Sequence, residues 1–152
     1  MRSKLHLTLL AVILGSFGFA TTARAADETV LDVITGTTFK AIMAAQGYNA
    51  TQLDEDGDLL GRIEGVPFYI IISQDKHSMV FRYSASGSNA TVAKCNQWNL
   101  SKKYSRAYMD KDGDPVLELD LDLEGGVTVA RIKDYILTCK VSMIVFRQEV
   151  VQ

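Results

Sequence analysis

Few residues of this chain could do chemistry, and their spacing argues against most of what they could do. Of the two histidines, His6 lies in an apolar leader and His77 stands alone in a polar stretch. A metal site needs three or four ligands brought together, and one histidine with two distant cysteines does not supply them. Two acidic pentads, Asp54-Glu55-Asp56-Gly57-Asp58 and Asp110-Lys111-Asp112-Gly113-Asp114, share the pattern D-x-D-G-D. A calcium loop of the EF-hand type wants Gly at its sixth position and Glu at its twelfth. Counted from Asp54 those are Leu59 and Gly65, and counted from Asp110 they are Pro115 and Leu121. Asp-Gly pairs of this kind mark hairpin reversals instead. Glu118, Asp120 and Asp122 alternate with leucines and share one strand face. They would suit acid–base work only if burial raised one of their pKa values; a solvated strand face is the expectation. No G-x-S-x-G, H-E-x-x-H or G-x-x-x-x-G-K occurs, so nucleophile-elbow, zincin and P-loop chemistry lack their signatures. The sequence predicts no catalytic residue, no metal and no cofactor.

The elements that must hold these residues begin after a leader. Residues 1–25 carry Arg2 and Lys4, an almost wholly apolar run over 5–20, and Ala23-Arg24-Ala25 with small residues where a signal peptidase reads. The run is short for a membrane span, which needs about 20 residues. A cleaved export signal over 1–25 is expected, with a retained anchor as the rival, and the product is periplasmic or secreted. Loss of Arg2, Lys4 and Arg24 takes the formal charge from -2 to -5. An acidic domain is a poor nucleic-acid binder and is not drawn to anionic lipid. Residues 26–152 suffice for one domain with one core.

Periodicity predicts a helix over 37–46, with Phe39, Ile42 and Met43 on one face, and strands over 50–53, 59–63, 67–73 and 79–84. Phe68-Tyr69-Ile70-Ile71-Ile72 is apolar throughout, as in a central strand covered on both faces, or on one face by a partner. A second helix is expected over 90–100, strands over 106–109 and 116–123, and a final helix from a Thr128 cap to about residue 150. Val129, Ile132, Ile136, Cys139, Met143, Phe146 and Val150 form its apolar stripe, and Leu137, Val141 and Ile144 a second one. The second stripe fits a deeply buried helix, or a spare face for a second subunit or client. Asn96 and Asn99 share a helical face. They suit bonds to strand backbone or, with Trp98, a binding role. Trp98 suits the core with its N–H partnered. Cys95 and Cys139 read either as two buried thiols or as a disulfide in an oxidising compartment.

Cys95-Asn96-Gln97-Trp98-Asn99, a basic and aromatic run, D-x-D-G-D at 110–114, the leucine strand and Gly125-Gly126-Val127-Thr128 follow in a characteristic order. In that order and spacing the chain resembles the YbjN-domain family of bacteria, with Gly47-Tyr48 and Asp56-Gly57 also in place. It departs at residues 99–104, where the family pattern sets an Arg-Phe pair nearer Asn99, and the export signal is an addition. The resemblance implies a fold similar to type III secretion chaperones, often dimeric, in a family described as sensory-transduction regulators with no established catalytic residues. The expected architecture is one α+β domain with about three helices and an antiparallel sheet of five or six strands. The expected role is an exported, non-catalytic protein-interaction or chaperone-like module of the bacterial envelope, binding a protein partner or a second copy. Phe68, Tyr69, Met143, Ile144 and Phe146 are the expected contacts. The alternative is an envelope small-ligand sensor with a pocket between sheet and helices near Trp98.

Overall fold

The computed structural model describes residues 27–53 and 57–152, with the backbone alone at 50–53. The leader over 1–25, and Asp54, Glu55 and Asp56 of the first acidic turn, lie outside the described residues. The elements run β1 (Val30–Leu31), α1 (Gly36–Ala45), β2 (Ala50–Leu53), β3 (Leu59–Ile63), β4 (Val66–Ile72), β5 (Ser78–Ser84), α2 (Val92–Ser101), β6 (Arg106–Met109), β7 (Pro115–Asp122), β8 (Val127–Thr128) and α3 (Val129–Phe146). A π-helical turn, Arg147–Val151, ends the chain. The main sheet has six antiparallel strands in the order β2-β3-β4-β5-β7-β6, and β1 pairs with β8 apart from it.

Local chemistry explains the elements. Thr35, Thr91 and Thr128 each accept a bond from the backbone N–H three residues on and so cap the three helices. Glu64 and Gly65 both have positive φ, 52° and 79°. That is the backbone a two-residue hairpin needs between β3 and β4. Asp110 closes the second acidic turn on itself, its Oδ1 accepting from the N–H groups of Asp112 and Asp114 at 3.0 and 2.9 Å. This carboxylate stands in for backbone rather than for a metal ligand.

The helices cover one sheet face. Leu59, Ile63, Phe68, Ile70, Met79, Phe81, Leu117, Leu119 and Leu121 point into them and are all buried. From α3 they meet Ile132, Tyr135, Ile136, Cys139, Met143 and Phe146, and from α1 Phe39, Ile42 and Met43. The Tyr135 hydroxyl bridges two strands, accepting from Phe81 N at 2.9 Å and donating to Leu119 O at 2.7 Å. Gly61 lies under the Phe68 ring: a Cβ there would come within 2.9 Å of Cε1 and closer still to Cζ.

The α-helix stops four residues before the end the stripe predicts, and the wider turn takes over at Arg147. The reason is visible at the carbonyls. Lys94 Nζ donates to Val150 O at 3.3 Å and Asn89 N to Val151 O at 3.2 Å. The widened turn presents these oxygens to α2 and to the loop before it, while Val150 stays in the core.

Candidate functional site

Among the described residues no helix lies over the opposite face of the sheet, and alternate residues of the same strands build it. The register aligns Leu60, Tyr69, Arg82, Glu118 and Arg106 in one row across β3, β4, β5, β7 and β6. Ile71, Val80 and Asp120 form the next row. Tyr69 is 50% exposed, while Ile71, Val80 and Leu60 are half-buried. The face is therefore apolar and aromatic at β3–β4 and charged at β7–β6.

The charged end is ordered. Glu118 is 7% exposed and is the one buried charged residue in the described core. Its Oε2 accepts from Arg106 Nε at 2.9 Å, with Arg106 Nη2 at 2.8 Å, and its Oε1 accepts from the Tyr108 hydroxyl at 3.0 Å. Arg82 Nε stands 3.8 Å from Oε1. Arg106 also pairs with Asp120. Burial, then the neighbouring Glu118 carboxylate, pushes the Tyr108 phenol up. The expected solvated row thus divides. Glu118 is buried because side chains from β5 and β6 lie on it, Asp120 is half of an ion pair, and Asp122 Oδ1 accepts from Glu124 N at 2.9 Å. Sequence parity alone placed the carboxylates together. The arginines that cover one of them come from other strands, so only the pairing reveals them. Both oxygens of Glu118 are engaged, which makes it a structural ion-pair centre and not a free base.

The expected contact residues separate sharply. Phe68, Met143 and Phe146 are 2%, 0% and 0% exposed. They fill the core between sheet and α3, which corrects their assignment as partner contacts. The period that singled them out is the period of the inward stripe. Ile144 is half-buried and Tyr69 is open. Of the motif residues, Asn96 is exposed, and Asn99 mimics a strand. Its Nδ2 donates to Ala107 O at 2.9 Å and its Oδ1 accepts from Ala107 N at 2.8 Å. Strand β6 is a sheet edge, and this pair of bonds occupies its backbone at Ala107. Trp98 is buried, its Nε1 donating to Ser105 Oγ at 3.0 Å and its ring edge-on to Phe146 at 5.2 Å.

Cys95 and Cys139 are both buried free thiols, so the bridge that the sequence leaves open is not formed. Cys95 Sγ lies 3.7 Å from Met109 Sδ. Burial pushes both thiols up, away from the thiolate needed for reactivity. His77 Nδ1 sits 2.8 Å from Asp32 O and 3.6 Å from Glu124, tying the β4–β5 turn to the chain before α1. Among the described residues, no group of three or more His, Cys, Asp or Glu could hold a metal ion, and no helix is long and apolar enough to cross a membrane.

A second surface lies beyond α3. A groove of about 380 Å³ runs between the outer side of α3 and the connection from α2 to β6. Trp98, Lys102, Tyr104, Leu137, Val141 and Val145 line it. Leu137 and Val141, members of the second stripe, are each 52% exposed. The groove is near Trp98, as the alternative reading expected, but it opens outside the helix layer, not between helices and sheet. Only the fold of the 102–105 segment back beside α3 creates it.

This architecture has known counterparts. The crystal structure of YbjN from E. coli superposes with a TM-score of 0.60 at 18% identity, covering 76% of this chain and 91% of that one. The HopA1-SchA chaperone–effector complex gives a TM-score of 0.56 at 11% identity over 74% of this chain and 91% of that chain. The Yersinia pestis type III secretion chaperone SycH, solved with a fragment of YscM2, gives 0.47 at 13% identity, covering 71% and 98%. The fold is thus an α+β fold like that of YbjN and of a chain in that chaperone–effector complex. No curated protein sequence matches the chain. A family profile described as "Putative bacterial sensory transduction regulator" matches residues 35–142. That span runs from the cap of α1 into the last turns of α3 and takes in the whole six-stranded sheet, and the chain belongs to the YbjN family.

Proposed function

We propose that this protein is an exported, non-catalytic, regulatory or chaperone-like module that binds a protein partner on the open face of its sheet. One observation carries the reading. The protein's own helices cover one face of a six-stranded sheet, and the other leaves Tyr69 half exposed beside Leu60, Ile71 and Val80. An aromatic anchor at the middle of an ordered face, rimmed by arginines and carboxylates, has the anatomy of an interface. The fixed Glu118–Arg106–Tyr108 cluster presents that rim already ordered, which lowers the entropy cost of association. The likeness to a chain of a chaperone–effector complex supports a protein as the ligand class. Export rests on the leader over 1–25. It places the partner in the envelope.

The test is quantitative capture of the full-length, tagged protein from its native envelope. Tyr69→Asp is compared with Leu137→Asp, a change of similar character on the far side of α3. A protein captured by the wild type and by Leu137→Asp, but lost with Tyr69→Asp, is the expected outcome. Retention with Tyr69→Asp contradicts the reading. N-terminal sequencing of the mature protein checks export, with Ala26 as the expected first residue.

A further inference from the structure

The geometry points to the groove outside α3 as a binding site for a small amphipathic anion, such as a medium-chain carboxylate. The site is separate from the sheet face, with the whole of α3 between them. Its floor is apolar. Leu137, Val141 and Val145 repeat every four residues along one side of the helix, so they extend for about 12 Å. That is the length of a medium acyl tail and too short to seat several turns of a partner helix. The volume, about 380 Å³, lies in the range of small-molecule sites. Two of its lining residues are held by ion pairs of the protein itself, Asp134 by Arg131 at 3.0 Å and Lys102 by Glu149 at 2.8 Å.

The charge of the wall selects the head group. Lys102 and Lys103 are adjacent on it. Lys102 is held by Glu149 and lies 5.4 Å over the Trp98 ring. Lys103 is exposed and makes no ion pair among the described residues. The one carboxylate in the lining, Asp134, is already engaged by Arg131. An anion at Lys103 therefore meets an uncompensated cation, and a cationic head group meets none of the groove's free charge. The wall is also fixed before any ligand arrives. The Ser105 hydroxyl and Phe146 hold Trp98. Tyr104 sits at φ 64°, a left-handed backbone that a tyrosine rarely adopts. Strain of this kind persists where the surroundings hold it, here at the mouth of the groove.

Trp98 is the only tryptophan of the chain, so its fluorescence reports the site. The experiment titrates the full mature protein with sodium decanoate below its micelle-forming range, with decyltrimethylammonium and decanol as head-group controls. Saturable Trp98 quenching or shift by decanoate is expected, with a rise in melting temperature by mass action. Lys103→Glu should weaken it at least tenfold and Val141→Asp should abolish it. Both side chains are at the surface, so the fold stands. Tyr69→Asp should leave it unchanged, which separates this site from the partner face. No saturable response, equal binding of either control, or full affinity in Lys103→Glu would overturn the proposal. So would a spectrum that changes with protein concentration alone together with a dimer lost in Val141→Asp, since the groove would then be filled by a second copy.

Discussion

The two faces of the main sheet come from alternate residues of the same strands, yet they are built on different physics. The face under α3 is aliphatic and aromatic, and its central side chains, from Leu59 and Phe68 through Phe81 to Leu119, are buried. The open face holds one aromatic at its centre and an arginine–carboxylate network toward β6. A face that only had to meet water would need neither a half-exposed tyrosine nor a glutamate buried beneath two arginines. The contrast teaches that stability resides on one side of this sheet, and the proposed recognition is assigned to the other. Substitutions on the two sides should therefore separate cleanly.

The largest effect is expected on the covered face. Phe81→Ala removes a ring that stacks on Phe68 at 4.9 Å and should lower the unfolding free energy by about 3–5 kcal/mol, read by urea denaturation. Gly61→Ala drives a methyl into that same Phe68 ring and should cost about 1–3 kcal/mol. Alkaline pH attacks the same side. Burial pushes the Tyr135 phenol and the Cys139 thiol up. The native state then keeps protons that the unfolded chain releases, so the stability from these groups is full below the unfolded thiol value of 9.0 and is lost as pH rises above it. Melting temperatures should be level near neutrality and fall beyond that point, less steeply in Cys139→Ala. On the open face, Glu118→Gln weakens the bonds to Arg106 and Tyr108 and should cost about 1 kcal/mol. Tyr69→Asp should change stability by no more than about 0.5 kcal/mol while removing the partner. A large loss of stability at Tyr69 would break the contrast between the faces.

Much of this was legible in the chain. Alternating leucines over 117–123 and the stripe through Ile132, Ile136, Cys139, Met143 and Phe146 gave strand, helix and their inward sides, because period is a local property. The Asp110 turn was legible for the same reason. The site was not. A stripe says which residues are apolar and not which are covered, so Phe68, Met143 and Phe146 looked like contacts when they are core. The burial of Glu118 depends on Arg106 and Tyr108 of β6, and the Asn99 bonds to Ala107 on how α2 packs. The short β1–β8 pair joins the segment before α1 to the segment that leads into α3. Such features belong to strand order and tertiary pairing, which local pattern does not encode.

The central claim, that the uncovered sheet face meets a partner, is tested most directly by site-specific photocrosslinking in the living cell. A benzophenone side chain replaces Tyr69 in one strain, and Ala44, exposed on α1, in another. The account predicts a discrete adduct with one envelope protein from position 69 and none from position 44. Position 69 giving no adduct, or the same adducts as position 44, would contradict it.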